Sequence, residues 1–191
     1  MFELGGLRLG PAPRVAVAVG DQTPRADLDA AFTAGADLVE LRIDHFSETT
    51  TDYVLAELGR LAGLPLLATI RSAREGGDWR GDDAARRALF ETVLPHVGAV
   101  DIELSSETML GDIVAAAHEA GRLVIGSFHD FERTPDAAEL AAVAARGRAA
   151  GVDIVKLAAR CQDRADVRRL AAFTLDEARS EEHTSELQSP L

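Results

Sequence analysis

Six short apolar runs, separated by stretches with helical periodicity, constrain this chain more than any other feature. The runs are VAVAV (15–19), DLVELRI (37–43), PLLATI (65–70), AVDIEL (99–104), LVIGS (123–127) and VDIVKL (152–157). Between them lie PRADLDAAFTAG, TDYVLAELGRLAG, DAARRALFETVLPHVG, TMLGDIVAAAHEAG and PDAAELAAVAARGRAAG, in which apolar residues recur at helical spacing. Several of these end on a glycine just ahead of the next strand, Gly35, Gly63, Gly98, Gly121 and Gly151, as expected where a helix closes on a left-handed residue. Such alternation implies parallel strands joined by right-handed helical crossovers. Both a (β/α) barrel and an open doubly wound sheet satisfy it.

The strand faces separate the two. In the second run Glu40, Arg42 and Asp44 share one face while Val39, Leu41 and Ile43 take the other, because successive side chains of a strand alternate. The fourth run sets Asp101 and Glu103 opposite Val100, Ile102 and Leu104, and the sixth sets Lys156 with Ile154, against Val155 and Leu157. An open sheet with helices on both faces would leave these charges stranded. A barrel gathers them inside, toward the strand C-terminal ends where barrel enzymes keep their chemistry. No G-x-G-x-x-G follows the first run, which leaves a dinucleotide-binding open sheet without support. The expected fold is an α/β, (β/α)8 TIM barrel of which about six βα units are present. FELGGLRLG reads as a hairpin over residues 2–9, turning at Gly5-Gly6 and lying across the barrel bottom.

The 191 residues include 20 basic and 32 acidic ones, a formal charge of −12. That balance argues against nucleic acid or an anionic membrane as partner, and leaves room for a small anionic substrate held by local arginines. A single cysteine, Cys161, excludes an internal disulfide and any CxxC metal or redox site. No apolar run approaches the length of a membrane span, and MFELGGLRLGPAPR has no signal-peptide core, so a cytoplasmic location is expected. Of the 20 basic residues, 19 are arginine and one is Lys156. Chance leaves one lysine somewhere, so its place decides whether it has a task that guanidinium cannot perform.

Lys156 interrupts an apolar strand near its C-terminal end. A buried, uncharged amine is the nucleophile that forms Schiff bases with ketones; a lysine there can equally snorkel to the rim or pair with an interior carboxylate. His129, in SFHDF just past the fifth strand, falls at the same rim one unit away and suits general acid–base work or a plain structural role. The remaining histidines, His45, His96, His118 and His183, fall on loop or helix positions. Arg71 opens RSAREGGDWRGD, a glycine-rich loop too long for a simple connector. Arg42 and Arg71 could clamp a carboxylate or hydroxyls, with Glu75 orienting His129, or could be neutralised by Glu40, Asp101 and Glu103. Glu40, Asp44, Asp101, Glu103 and His129 also offer donor atoms for a divalent ion. None has a recognised ligand spacing and the interleaved arginines would repel a cation, so no metal is expected.

The motifs VELRIDHF, ATIRSAREGG, DIEL, SFHDFERTP and DIVKLA, in this order and at these intervals, resemble the type I 3-dehydroquinate dehydratase family of the shikimate pathway, from about Arg14 to about Ala178. The resemblance implies a barrel without metal or cofactor that dehydrates 3-dehydroquinate to 3-dehydroshikimate in aromatic amino acid biosynthesis. Lys156 would condense with the substrate ketone, His129 would serve as general acid and base, and Glu75 would tune His129. Glu40, Arg42 and Arg71 match the substrate-binding positions, with Asp44, Asp101 and Glu103 as their supporting partners. A homodimer is the family's common assembly.

Two departures accompany the resemblance. Ala18 stands at the end of the first strand, where the family often has a small hydroxyl residue. After DRADVRRLAAFTLDEA, a seventh and an eighth strand are absent, and with them an arginine for the substrate carboxylate and a Ser/Gln-bearing loop. The expected organisation is an incomplete barrel domain over 1–178, followed by RSEEHTSELQSPL (179–191), which is similar to an in-frame translation of a common sequencing-library adapter and is read as a non-native tail. One alternative to the enzyme is that the chain as given is an inactive, poorly soluble fragment. The alternative enzyme is another class I Schiff-base lyase, aldolase-like or transaldolase-like.

Overall fold

The computed structural model describes residues 2–10 and 12–186, with side chains through Glu177. The stretch 179–191, read above as a tail, falls outside the described residues except for helical backbone as far as Glu186. An antiparallel hairpin opens the chain, β1 (Phe2–Leu4) and β2 (Leu7–Leu9). Six strands follow: β3 (Ala16–Val19), β4 (Leu38–Arg42), β5 (Leu66–Thr69), β6 (Ala99–Glu103), β7 (Leu123–Asp130) and β8 (Ile154–Ala159). Each precedes a helix: α1 (Arg25–Thr33), α2 (Thr51–Arg60), α3 (Asp83–Val93), α4 (Leu110–Glu119), α5 (Ala137–Ala150) and α6 (Arg164–Glu186). The strands pair in parallel and in sequence order, β3 to β8, and curl into a half-barrel, so the TIM-barrel-like fold is partly present. Among the described residues no helix is long and apolar enough to cross a membrane.

Helix ends follow local chemistry. Asp82 caps α3 by accepting from the Ala85 N–H at 2.8 Å, and Asp136 forms a reciprocal capping box with Glu139 on α5. Four of the five expected left-handed glycines have positive φ; Gly98 does not. Its need for glycine is steric, since a Cβ there would lie 3.0 Å from the Leu4 side chain and from the Gly5 nitrogen of the hairpin.

Alternation sorts the side chains into two cores. Val39, Leu41, Ile43, Ala68, Ile70, Val100, Ile102, Leu104 and Val124 pack under the helices. On the inner face Leu38, Leu67 and Ala99 meet Leu4 of the hairpin, with Leu7, Leu9, Leu123 and Ile125 packed around them. The hairpin therefore plugs the bottom of the half-barrel, and the polar inner residues begin one layer above.

Three boundaries differ from the sequence expectation. β7 continues through His129 and Asp130, which pair with Ala158 and Ala159, so the histidine lies inside the strand. β4 stops at Arg42, and Ile43–His45 form a 3-10 turn, which takes Asp44 off the strand face. Lys156 is third of the six residues of β8, paired with Ser127, and sits mid-strand.

Candidate active site

Above the apolar floor the inner positions read Glu40 and Arg42 on β4, Thr69 on β5, Asp101 and Glu103 on β6, Ser127 and His129 on β7, and Lys156 on β8. Arg71 lies two residues past β5. The hub is Asp101, whose residue is 1% exposed. Its Oδ2 accepts from Lys156 Nζ at 2.6 Å; its Oδ1 accepts from Arg71 Nη2 at 2.8 Å and from Ser127 Oγ at 2.6 Å. Burial pushes the Asp101 carboxyl up. The charges of Arg71 and Lys156, with hydrogen bonds from Lys156 and Ser127, outweigh it and hold the group below the usual carboxylate range. Lys156 is the partner of this buried carboxylate, its side chain 36% exposed and bordering a groove of about 460 Å³ along the open side of β8.

A second cluster surrounds His129. Nδ1 lies 2.9 Å from Glu75 Oε2, which also accepts the His129 backbone N–H at 3.2 Å, while Ser105 Oγ donates to Glu75 Oε1. A carboxylate at Nδ1 selects the Nδ1–H form of the ring, leaving a lone pair on Nε2. Burial raises the Glu75 carboxyl, but the bonds from His129 and Ser105 prevail and lower it. The Phe131 ring stacks on the imidazole with centroids 6.1 Å apart. Glu75 reaches this position because the turn Ala73–Glu75 closes through Gly76 and Gly77. A Cβ on Gly77 would fall 2.1 Å from the Arg71 carbonyl oxygen, so no other residue fits.

The expected residues thus form linked groups. Lys156, Asp101, Arg71 and Glu103 are joined, the last by a 3.4 Å contact from Arg71 Nη1. Glu40 stands beside them, its Oε1 accepting from Thr69 Oγ1 at 2.7 Å. Arg42 turns aside to Asp44, at 3.1 and 2.8 Å, and to His45 Nε2 at 2.8 Å. The Asp44 bond and the negative charge around it outweigh burial and hold the Arg42 guanidinium above its ordinary value. Burial raises the Asp44 carboxyl, yet Arg42 and the N–H groups of Arg71 and Asp78 lower it overall. Among the described residues no group of three or more His, Cys, Asp and Glu side chains is arranged to hold a metal ion. Ser127, Thr69 and Ser105 were not singled out in the sequence; the only signal for Ser127 is its place two residues before His129 on one strand face.

Parallel βα units around a charged interior, with one lysine salt-linked to a buried aspartate, define the class: a protein of the β/α-barrel type with a polar site inside the barrel. A family model described as type I 3-dehydroquinase matches residues 16–186. The 3-dehydroquinate dehydratase of Methanococcoides burtonii is 37% identical over 180 residues, covering 92% of this chain and 77% of its own. That of Methanosarcina barkeri is 35% identical over 184 residues, covering 92% and 75%. The crystal structure of the Aquifex aeolicus enzyme superposes with a TM-score of 0.76 at 37% identity, covering 84% of this chain and 74% of that one. The type I enzyme of Clostridium difficile gives 0.84 at 26% identity, covering 91% and 73%. The chain belongs to the type I 3-dehydroquinate dehydratase family, hydro-lyases of the shikimate pathway, and spans about three-quarters of the length of these relatives.

Proposed function

We propose that this chain dehydrates 3-dehydroquinate through an imine on Lys156. The amine adds to the substrate ketone and water leaves, giving an iminium that acidifies the adjacent C–H. His129 Nε2 takes that proton, then returns it to the departing hydroxyl, so that a second water is lost from the ring; hydrolysis of the imine returns the lysine. Glu75 holds the ring through Nδ1 and stabilises the imidazolium formed between the two transfers. Glu40, Arg42 and Arg71 bind the ring hydroxyls and neighbouring polar groups, with Asp44, Asp101 and Glu103 holding the two arginines. The observation that carries the reading is the pairing of the only lysine in the sequence with a fully buried aspartate, one strand away from a carboxylate-bound histidine. The C. difficile relative is described with covalent modified comenic acid, which supports covalent ligand chemistry in a protein of this family.

The test is reductive trapping with borohydride and 3-dehydroquinate, read as a mass increment on the Lys156 peptide. Trapping in the unaltered chain and none in Lys156→Arg is expected. Trapping only with sugar phosphates would overturn the assignment in favour of an aldolase-like lyase.

A further inference from the structure

Arg86 belongs to none of the groups assigned so far, yet among the described residues it is one of the largest fully buried side chains, 1% exposed as a residue. It lies in the first half of α3, and its guanidinium reaches back beneath the loop that carries Glu75. Nε donates to the Ile70 carbonyl oxygen at 2.7 Å, Nη1 to Ser106 Oγ at 3.1 Å and Nη2 to Glu103 Oε2. One planar group therefore ties the end of β5, the end of β6 and the loop after β6. Phe90, one helical turn on, covers the guanidinium with its ring, 5.5 Å from Cζ to centroid.

The carboxylate it grips is the anchor of the loop. Glu103 is 0% exposed, and its Oε1 accepts the Ser72 backbone N–H at 2.8 Å, while its Oε2 also accepts from Ser106 Oγ at 3.0 Å. Ser72 begins the turn that delivers Glu75: its side chain caps Ala73–Glu75, and its carbonyl accepts the Glu75 and Gly77 N–H groups, each at 3.0 Å. Ser105, the second donor to Glu75, sits between the two residues that Arg86 holds. With Arg86 removed, Glu103 Oε2 loses its buried cation, and Arg71 Nη1, 3.4 Å from Oε1, is left to compete with the Ser72 N–H for the carboxylate.

We infer that Arg86 is a positioning residue that acts through Glu103 to set Glu75 against His129. This rests on the imine reading for its consequence in turnover, but the geometry it controls is measurable without substrate. The two outcomes of the borohydride experiment separate the lysine from the histidine. A trapped adduct that has kept the ring hydroxyl reports imine formation alone; one lighter by a further water reports proton transfer by His129.

The experiment compares the unaltered chain with Arg86→Met and Arg86→Lys, below the melting temperature of each. In the 15N spectrum of the imidazoles, assigned by loss of a signal in His129→Gln, Arg86→Met is expected to lose the single Nδ1–H tautomer of His129. In trapping, total adduct on Lys156 changes less than the dehydrated fraction, which falls by about 10–100-fold, the usual effect of a misplacement near one ångström. Arg86→Lys keeps the charge beside Glu103 but cannot reach all three acceptors, and should fall between the two; it serves if Arg86→Met does not fold. An unchanged His129 tautomer in a folded variant overturns the inference, as does loss of imine and dehydration in equal proportion. Were the unaltered chain to trap nothing, the imine reading would fail, and the nitrogen spectrum would still decide the role of Arg86.

Discussion

Asp101→Asn tests the electrostatic core of the site, because it removes one charge while preserving shape. In the native protein the carboxylate faces an ammonium at 2.6 Å and a guanidinium at 2.8 Å in a fully buried position. A charge-assisted hydrogen bond of this kind contributes roughly 1.5–3 kcal/mol. The Lys156 side chain is 36% exposed, and water screens the pair, so the lower end applies. The ion pair must open before the amine can attack, so its loss should speed imine trapping by about tenfold, the factor that about 1.4 kcal/mol represents. Arg71 keeps Glu103 as a partner, which limits the stability cost to about 3 kcal/mol, the lower bound for opening a buried ion pair. The rate of cyanoborohydride trapping, read by mass on the Lys156 peptide, gives the first quantity, and urea denaturation the second. A trapping rate that stays or falls would refute the argument that the ion pair with Asp101 restrains Lys156.

Two other measurements probe the same structure. Asp44, Glu75 and Asp101 all have carboxyls lowered from ordinary values of 3.8, 4.5 and 3.8. Their stabilisation is therefore complete above those values and is lost as pH falls through the lower folded ones; urea midpoints should be flat near neutrality and drop below about pH 4.5, less steeply in Glu75→Gln. A midpoint that rises on acidification would contradict this sign. Leu4→Ala, which empties a 1% exposed position against Leu38, Leu67 and Ala99, should cost about 2–5 kcal/mol in denaturant unfolding. A cost below about 0.5 kcal/mol, typical of surface positions, would mean that the hairpin does not plug the barrel floor.

Charges at alternate positions of apolar strands were the legible part of this chain. Glu40, Asp101, Glu103 and Lys156 declare the interior by their spacing alone, and the contact between Glu75 and His129 was readable once the strands were ordered. The end of β7 was not, since SFHD mixes aromatic and polar residues without clean alternation, and only pairing with β8 extends the strand to Asp130. Asp44 left the strand face because a 3-10 turn changes the direction of side chains, which periodicity cannot register. Arg86 was hidden for a simpler reason: beside Arg87 in DAARRALF it looks like half of a solvated basic pair, and Arg87 does make surface salt bridges to Glu91 and Asp112. Only the tertiary position of Glu103 tells the two arginines apart.

The loop that joins Arg71 to α3 contains Trp79, the only tryptophan in the sequence. Its backbone N–H bonds to the Arg71 carbonyl at 3.1 Å, its indole lies over Gly81, and it lines a cleft with Asp44, His45 and Phe46. The molecule therefore carries its own optical reporter at the rim of the site. A ligand that shifts this loop alters the solvent around a single indole, and indole emission excited selectively, apart from Tyr53, follows that one segment of the unlabelled protein.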